Sequence, residues 1–364
     1  MRFLRFRLNF ILPVCILLLL SCSEVSEHAT SVIVKSEFIY KKASFPSAHA
    51  STIVETGKTI VAAWFGGTAE GNPDVGIWVS RNEGINWSVP VEVANGVQPD
   101  GKAYPCWNPV LFQPAGGPLL LFYKVGPNPR EWLGLVRTSI DFGHSWSEAV
   151  RLPEGFLGPI RAKPVELPDG ILLAGSSTEH AGWVVHLEWF HESVMDNFNS
   201  ERSKWKAESL SLASAWQKTG PLNDPKEFHA IQPVVLVHST KRLQILCRSQ
   251  QGFITEAWSG DAGRTWSRMS ATTLPNPNAG IDVTKLFDGR FLLVYNPISQ
   301  GRDKLALAIS KDGNKWRSVF VLEDSPGEYS YPAQIQSDDG LVHITYTWNR
   351  ERIRHVVVDP SLFK

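Results

Sequence analysis

Short apolar runs, each opened by a tight turn, recur along the chain. A turn at Thr56-Gly57-Lys58 is followed by the apolar stretch 59–64, and Gly116-Gly117 by 118–123. Asp169-Gly170 precedes 171–174, and Ser239-Thr240-Lys241 precedes 242–246. The last two are Asp288-Gly289 before 290–295 and Asp339-Gly340 before 341–346. Turn chemistry between β-rich runs predicts a hairpin at each place.

A second motif repeats out of phase with the first. Ser259-Gly-Asp261-Ala-Gly263-Arg-Thr265-Trp266 and Ser139-Ile-Asp141-Phe-Gly143-His-Ser145-Trp146 share the string S-x-D-x-G-x-[ST]-W. In a tight turn the Asp carboxylate can accept from backbone N–H groups two residues on. The Gly takes a positive φ, and the Trp supplies an apolar plate against neighbouring strands. Worn copies stand at Ser80 to Trp87 and at Ser310 to Trp316, the latter one residue short, and a vestige surrounds Trp205. The tryptophans are spaced 59, 59, 61 and 50 residues apart. Periods of this length fit four-stranded propeller blades. The prediction is an all-β fold, a six-bladed β-propeller of four-stranded antiparallel sheets.

The first strand of each repeat would be innermost. These strands open near His49, Trp107 and Asn108, Arg161 and Lys163, Gln232, Asp282, and Tyr329 and Tyr331. Each has a polar or aromatic head, so six such heads would meet around one axis as a polar binding site. Lys124, Glu179, Arg248, Asn296 and Arg350 end second strands near the same face, and the loops 66–74, 126–132 and 297–302 follow some of them. Loops on a rigid scaffold commonly carry sites. The last repeat lacks the Asp turn, and the stretch 32–40 is otherwise unpaired, so it is expected to complete the last blade and remove an exposed edge.

The chain has 364 residues, 43% of them hydrophobic, enough for a sizeable core. Formal net charge is +0, and no basic excess points to nucleic acid. Arg2, Arg5 and Arg7 precede an apolar stretch, 10–20, too short to span a bilayer comfortably. The stretch ends Leu19-Leu20-Ser21-Cys22, resembling a bacterial lipobox. The reading is a leader over 1–21, a lipidated Cys22, a polar tether over 22–31 and a propeller over 32–364. The protein would then be exported to the periplasm or cell surface, its membrane contact through lipid alone, at about 0.8 kcal/mol per buried CH₂. Cys106 and Cys247 have apolar flanks and read as buried free thiols. His191, Asp196 and Glu201 lack metal-ligand spacing, and no phosphate-binding glycine loop is present, so no metal or cofactor is expected. Oligomeric state is left open.

These repeats resemble the sialidase superfamily, six-bladed propellers carrying Asp-boxes, also called BNR repeats, and the likeness covers nearly the whole chain beyond the leader. The resemblance implies a glycosidase acting on an acidic glycan. It implies that Arg248 and Arg302 bind a sugar carboxylate, a task suited to guanidinium forks. It implies that Tyr329, in the pair Tyr329-Ser330, is the nucleophile, and that Glu70 or Asp74 is the acid/base. Two positions depart from the family pattern: His49 stands where the first arginine belongs, and Gln232, 16 residues before Arg248, stands where the activating Glu belongs. His49 and Gln232 would then contact sugar hydroxyls, with Lys163, Asp282 and Trp107 as further ligand contacts. Gln cannot take a phenol proton, and an unaided Tyr is a poor nucleophile at neutral pH. Two alternatives use the same pocket. In a lyase acting on uronic acid, Arg248 and Gln232 would neutralise the carboxylate while His49 and a Tyr move protons. In a non-catalytic glycan binder, Trp107, Trp132 and Trp348 would stack on sugars.

Overall fold

The computed structural model describes residues 31–168, 170–191 and 207–363. The leader, Cys22, all but the end of the tether, Asp169 and the vestige at Trp205 lie outside the described residues, as do Asp196 and Glu201. Six four-stranded antiparallel sheets form the blades of a propeller. Blade 1 runs outward through Ser47–Thr56, Thr59–Gly67, Gly76–Asn82 and Val91–Ala94. Blade 2 comprises Cys106–Phe112, Leu119–Val125, Leu133–Ser139 and Val150–Arg151; blade 3 comprises Val165–Glu166, Ile171–Thr178, Val184–His191 and Trp216–Lys218. Blade 4 is Ala230–Val237, Leu243–Ser249, Phe253–Ser259 and Ser270–Pro275, and blade 5 is Asp282–Lys285, Phe291–Tyr295, Lys304–Ser310 and Arg317–Asp324. Blade 6 takes Tyr329–Gln336, Val342–Trp348 and Arg352–Val358 from the end of the chain and its outer strand, Ile33–Phe38, from the beginning. The expected closure is therefore present. Among the described residues no helix is long and apolar enough to cross a membrane.

The second strands are continuous apolar runs because both their faces are covered. Successive side chains of a strand point to opposite faces, so neighbours in sequence serve different seams. Val61 meets Leu121 between blades 1 and 2, while the adjacent Leu120 meets Leu172 between blades 2 and 3. Leu173 joins Ile245 in the next seam, and Leu246 joins Leu293 in the one after. Leu307 and Ile344 share the seam of blades 5 and 6, and Trp64 and Ile353 that of blades 6 and 1. Cys106 and Cys247 are buried free thiols in this core.

The Asp-box turns work by a longer reach than expected. Asp261 accepts from Thr265 four residues on, at its backbone N (2.8 Å) and its Oγ1 (2.6 Å). Asp141 does the same with Ser145, at 2.9 and 2.5 Å. In the short box of blade 5 the carboxylate reaches two and three residues on, Asp312 accepting from Asn314 N at 2.9 Å and Lys315 N at 2.8 Å. The indole of Trp266 donates to Gly263 O at 2.8 Å, locking the plate to its own turn.

One irregularity of the inner strands prepares the centre. The pairing of the first two strands shifts register between His49 and Thr52, Trp107 and Val110, Ile231 and Val234, and Ser330 and Ala333. Within these bulges Ala50, Asn108, Gln232 and Tyr331 take φ values of 54°, 38°, 58° and 51°. A bulge adds an unpaired residue and re-aims a side chain. The same device at the same depth in blades 1, 2, 4 and 6 makes these four residues equivalent.

Candidate active site

Tyr331, the bulge residue of blade 6, stands at the meeting point. Arg248, from the end of the second strand of blade 4, donates from Nη1 to its hydroxyl at 2.5 Å. The guanidiniums of Arg161, Arg248 and Arg302 lie 5.3, 5.3 and 5.8 Å from its ring centroid. The His49 ring is 4.3 Å away, centroid to centroid. Gly280 makes room: a Cβ there would stand 3.1 Å from Arg161 Nε and 3.3 Å from Tyr331 Cγ. Tyr331, His49, Arg161 and Arg248 are all buried.

The cluster is strongly cationic. Burial drives the His49 pKa well below its ordinary value, and the charges of Arg350, Arg302, Arg161 and Arg248 push the same way. His49 is therefore a neutral imidazole at neutral pH, with Nδ1 2.9 Å from Thr347 Oγ1. Glu328 is the principal local counter-charge. It accepts from Arg302 Nη1 at 3.0 Å and Arg350 Nε at 2.8 Å. Burial opposes its ionisation, but those two arginines prevail and hold its pKa down.

The arginines differ in what they have left to offer. Arg161 gives Nη1 to Ile281 O at 2.8 Å and Nη2 to Pro332 O, and its buried Nε has no partner. Arg302 is engaged by Glu328 and by Asn278 O at 3.2 Å. Arg248 spends Nη1 on Tyr331, and its buried Nε has no partner. Trp183 covers that guanidinium at 5.4 Å. Gln232 also carries an unpartnered buried Oε1. Unsatisfied buried polar atoms are costly, and those of Arg248 and Gln232 are each open to a ligand group.

Several sequence-based assignments change. Tyr329 does not face the centre: its ring packs in the seam of blades 5 and 6 with Leu305 and Tyr346, and Tyr331 takes the place predicted for it. Strand alternation sends Tyr329 into the seam, and the bulge then turns Tyr331 to the axis. Asp74 is committed to its own loop, accepting from Thr68 N at 2.9 Å and Thr68 Oγ1 at 2.8 Å. Glu70 is paired with Arg350 at the rim. Lys163 and Asp282 lie 3.5 Å apart and are tied to blade 6, Lys163 to Gln334 O at 3.1 Å and Asp282 to Gln334 N at 2.8 Å. Together they join blades 3 and 5 to blade 6. Trp107 is buried, its indole donating to Gly126 O at 2.9 Å. Trp348 is packed on Phe38 with ring centroids 5.3 Å apart. His49, Arg248 and Arg302 are brought together around Tyr331, and Gln232 is the matching bulge residue of blade 4.

Three participants escaped site assignment. Arg161 reaches from blade 3 to the Tyr331 ring of blade 6. Glu179 sits beside Arg248 and Trp183; burial raises its pKa, against the pull of Arg248. Tyr331 could have been found from the pairs Asn108-Pro109, Lys163-Pro164, Gln232-Pro233 and Tyr331-Pro332, which align the inner strands directly.

A family model described as BNR repeat-like domain matches residues 58–344. The chain belongs to that family. Solved structures show the same architecture around this BNR propeller. A protein of unknown function from Dyadobacter fermentans superimposes with TM-score 0.70 at 17% identity, covering 90% of this chain and 98% of its own. The Hadza microbial sialidase Hz136 gives 0.68 at 15%, covering 87% of this chain and 66% of its own. A sialidase from Trypanosoma rangeli in complex with the inhibitor DANA gives 0.63 at 14%, covering 87% and 56%. The BNR propeller thus spans about two thirds or less of those two sialidases. No curated protein sequence matches it.

Proposed function

We propose that this BNR propeller is a sialidase-like glycoside hydrolase acting on a carboxylate-bearing terminal sugar of extracellular glycans, from a lipid anchor at Cys22. The observation that carries this reading is the convergence of Arg161, Arg248 and Arg302 on one phenol, Tyr331, with His49 alongside. Guanidiniums in a water-poor pocket favour an anion strongly. Arg248 has donors to spare and binds the sugar carboxylate; Arg302 and Arg161 add charge. Tyr331 attacks the anomeric carbon. Its proton leaves to solvent, the donor from Arg248 stabilises the phenolate as the bond to the departing oxygen breaks, and water then frees the sugar from the phenol oxygen. Glu179, whose carboxyl stays protonated to higher pH than usual, donates to the departing oxygen.

A second reading rests on the same His49–Tyr331 pair. With Gln232 where a carboxylate would activate a nucleophile, the pair can instead abstract the proton α to a uronate carboxyl held by Arg248. Elimination follows: the bond to the glycosidic oxygen β to the carboxyl breaks, and Tyr331 gives that departing oxygen a proton.

Incubation with a panel of acidic glycans separates the readings. A hydrolase releases a reducing acidic sugar without new ultraviolet absorbance, and a lyase releases an unsaturated uronide that absorbs. Binding without either product leaves a lectin. Arg248→Ala is expected to lower affinity for the carboxylated sugar by roughly tenfold or more, the worth of one charge-assisted pair. Full affinity in that variant refutes the site.

A further inference from the structure

A second cationic depression opens on the same face, between blades 2 and 3. It has a volume of about 290 Å³ and is lined by Arg130, Trp132, Arg151, Phe156, His180 and Lys218, among others. That volume is near the lower end of the roughly 300–1,000 Å³ usual for ligand pockets. The loops that build it, 126–132 and 178–183, are those leading from the second to the third strand of their blades, so it shares the face on which Tyr331 lies.

Its chemistry is that of a sugar site for a negative ligand. Arg130, Arg151, Lys218 and His180 are exposed, and Glu154 is the one carboxylate in the lining. Lys218 bridges the wall, donating to Gly155 O at 2.7 Å with its ammonium 5.4 Å from the Phe156 ring centroid. Trp132 is buried at 7% exposure, yet its indole Nε1 has no hydrogen-bond partner. An indole N–H buried without an acceptor is uncommon and suits a hydroxyl or carboxylate that arrives with a ligand.

The depression is joined to the centre by contiguous rings. His49 touches Phe65 at 5.5 Å, Phe65 touches Trp107 at 6.2 Å, and Trp107 touches Trp132 at 6.0 Å, all between centroids. Glu179, on the hairpin tip next to His180, feels the charges of both Arg248 and Arg130.

We propose that this groove is a subsite for a second anionic sugar residue, uronate or sulfated, of the same glycan whose terminal sugar occupies the Arg248–Tyr331 pocket. The inference rests on the reading of that pocket as a carboxylate-sugar site and adds a substrate class: glycans carrying acidic sugars in succession, not a lone acidic cap on a neutral chain. Arg130 and Arg151 bind the second anion, and Phe156 and Trp132 flank its ring.

The test is binding of the intact protein to an array of acidic oligosaccharides of one to four sugars. The array includes uronate-only, sulfated, and single-acid-on-neutral-chain members. Wild type is expected to bind glycans with consecutive acidic sugars about tenfold or more tighter than those with one, as a single charge-assisted contact would give. The double variant R130A/R151A is expected to lose that gain while keeping single-acid binding and its melting temperature, since both side chains are exposed. Arg248→Ala is expected to lose both. If consecutive acids confer no gain, or the gain survives R130A/R151A, the groove is not the subsite even though the central pocket stands. If no acidic glycan binds at all, both assignments fall. Whether the gain follows uronates or sulfates identifies the anion.

Discussion

Tyr331 and Tyr329 are two residues apart and have opposite duties. Tyr331 meets an arginine through its hydroxyl, whereas Tyr329 fills a hydrophobic seam. Tyr331→Phe removes the proposed nucleophile and is therefore expected to reduce turnover by roughly 10⁴ or more, with the melting temperature little changed. Tyr329→Phe should keep turnover. Steady-state kinetics on both variants decides, and the reverse outcome would restore Tyr329 as the reacting group. At this scale the sequence was readable only in part. His49, Gln232 and Arg248 were legible because strand ends in a repeat fold must converge, and Arg302 through the family resemblance. Tyr331 was hidden because simple alternation counts positions evenly, and a bulge inserts a residue that breaks the count. The self-contained bonds of Asp74 and the pairing of Lys163 with Asp282 were equally hidden, because they depend on which side chains face across the axis.

Among the elements, the blades were the easiest to foresee: a tight turn opens each hairpin, and an Asp-box or a worn copy of one follows in every repeat but the last. The seam between the closing strand and blade 1 was not foreseen, and it has an acid-sensitive composition. His343 Nδ1 lies 3.0 Å from His355 Nε2, whose partner nitrogen is 3.2 Å from Glu37 Oε1. Trp87 Nε1 donates to Glu37 at 3.0 Å, and Lys35 pairs with it at 2.9 Å. Burial, reinforced by His355 and Lys35 and opposed by Asp339, lowers the pKa of His343 to about 4. Burial works against ionised Glu37, but hydrogen bonds from His355 and Lys35 outweigh it and lower its pKa to about 2. For His343, the unfolded chain, with an ordinary value of about 6.5, binds more protons than the folded one between there and about 4. Stability therefore falls as pH drops through that window. For Glu37, stability is present above the unfolded value of about 4.3 and is lost as pH falls toward about 2. Both act in one direction. The melting temperature is expected to decline from about pH 6.5 downward, and His343→Gln should flatten the upper part of the decline. A calorimetric pH series that shows the same slope in both proteins would rule this out.

For the molecule as a whole, six seams and one closure hold the ring, and the sequence announced both the number of blades and the strand that completes the last. The closing strand pairs Ile33 with Val358 and Phe38 with Arg354. Phe38 is also covered by the Arg352 guanidinium at 3.8 Å from its ring. A chain shortened to begin at Tyr40 would expose the edge Arg352–Val358, and unpaired edges invite association. It is expected to melt lower and to scatter light on standing. A shortened chain that stays monomeric with an unshifted melt would show the closure to be dispensable.

That pairing also has a consequence for biosynthesis. Ile33–Phe38 is made long before the strand it joins, because Arg352–Val358 is among the last parts of the chain to be translated. At about 5–20 residues per second, the wait lasts on the order of tens of seconds. During that time a half-apolar ribbon must remain unattached while five sheets assemble behind it. The ring can close only after the last strand has been made, so closure is the final step of its assembly.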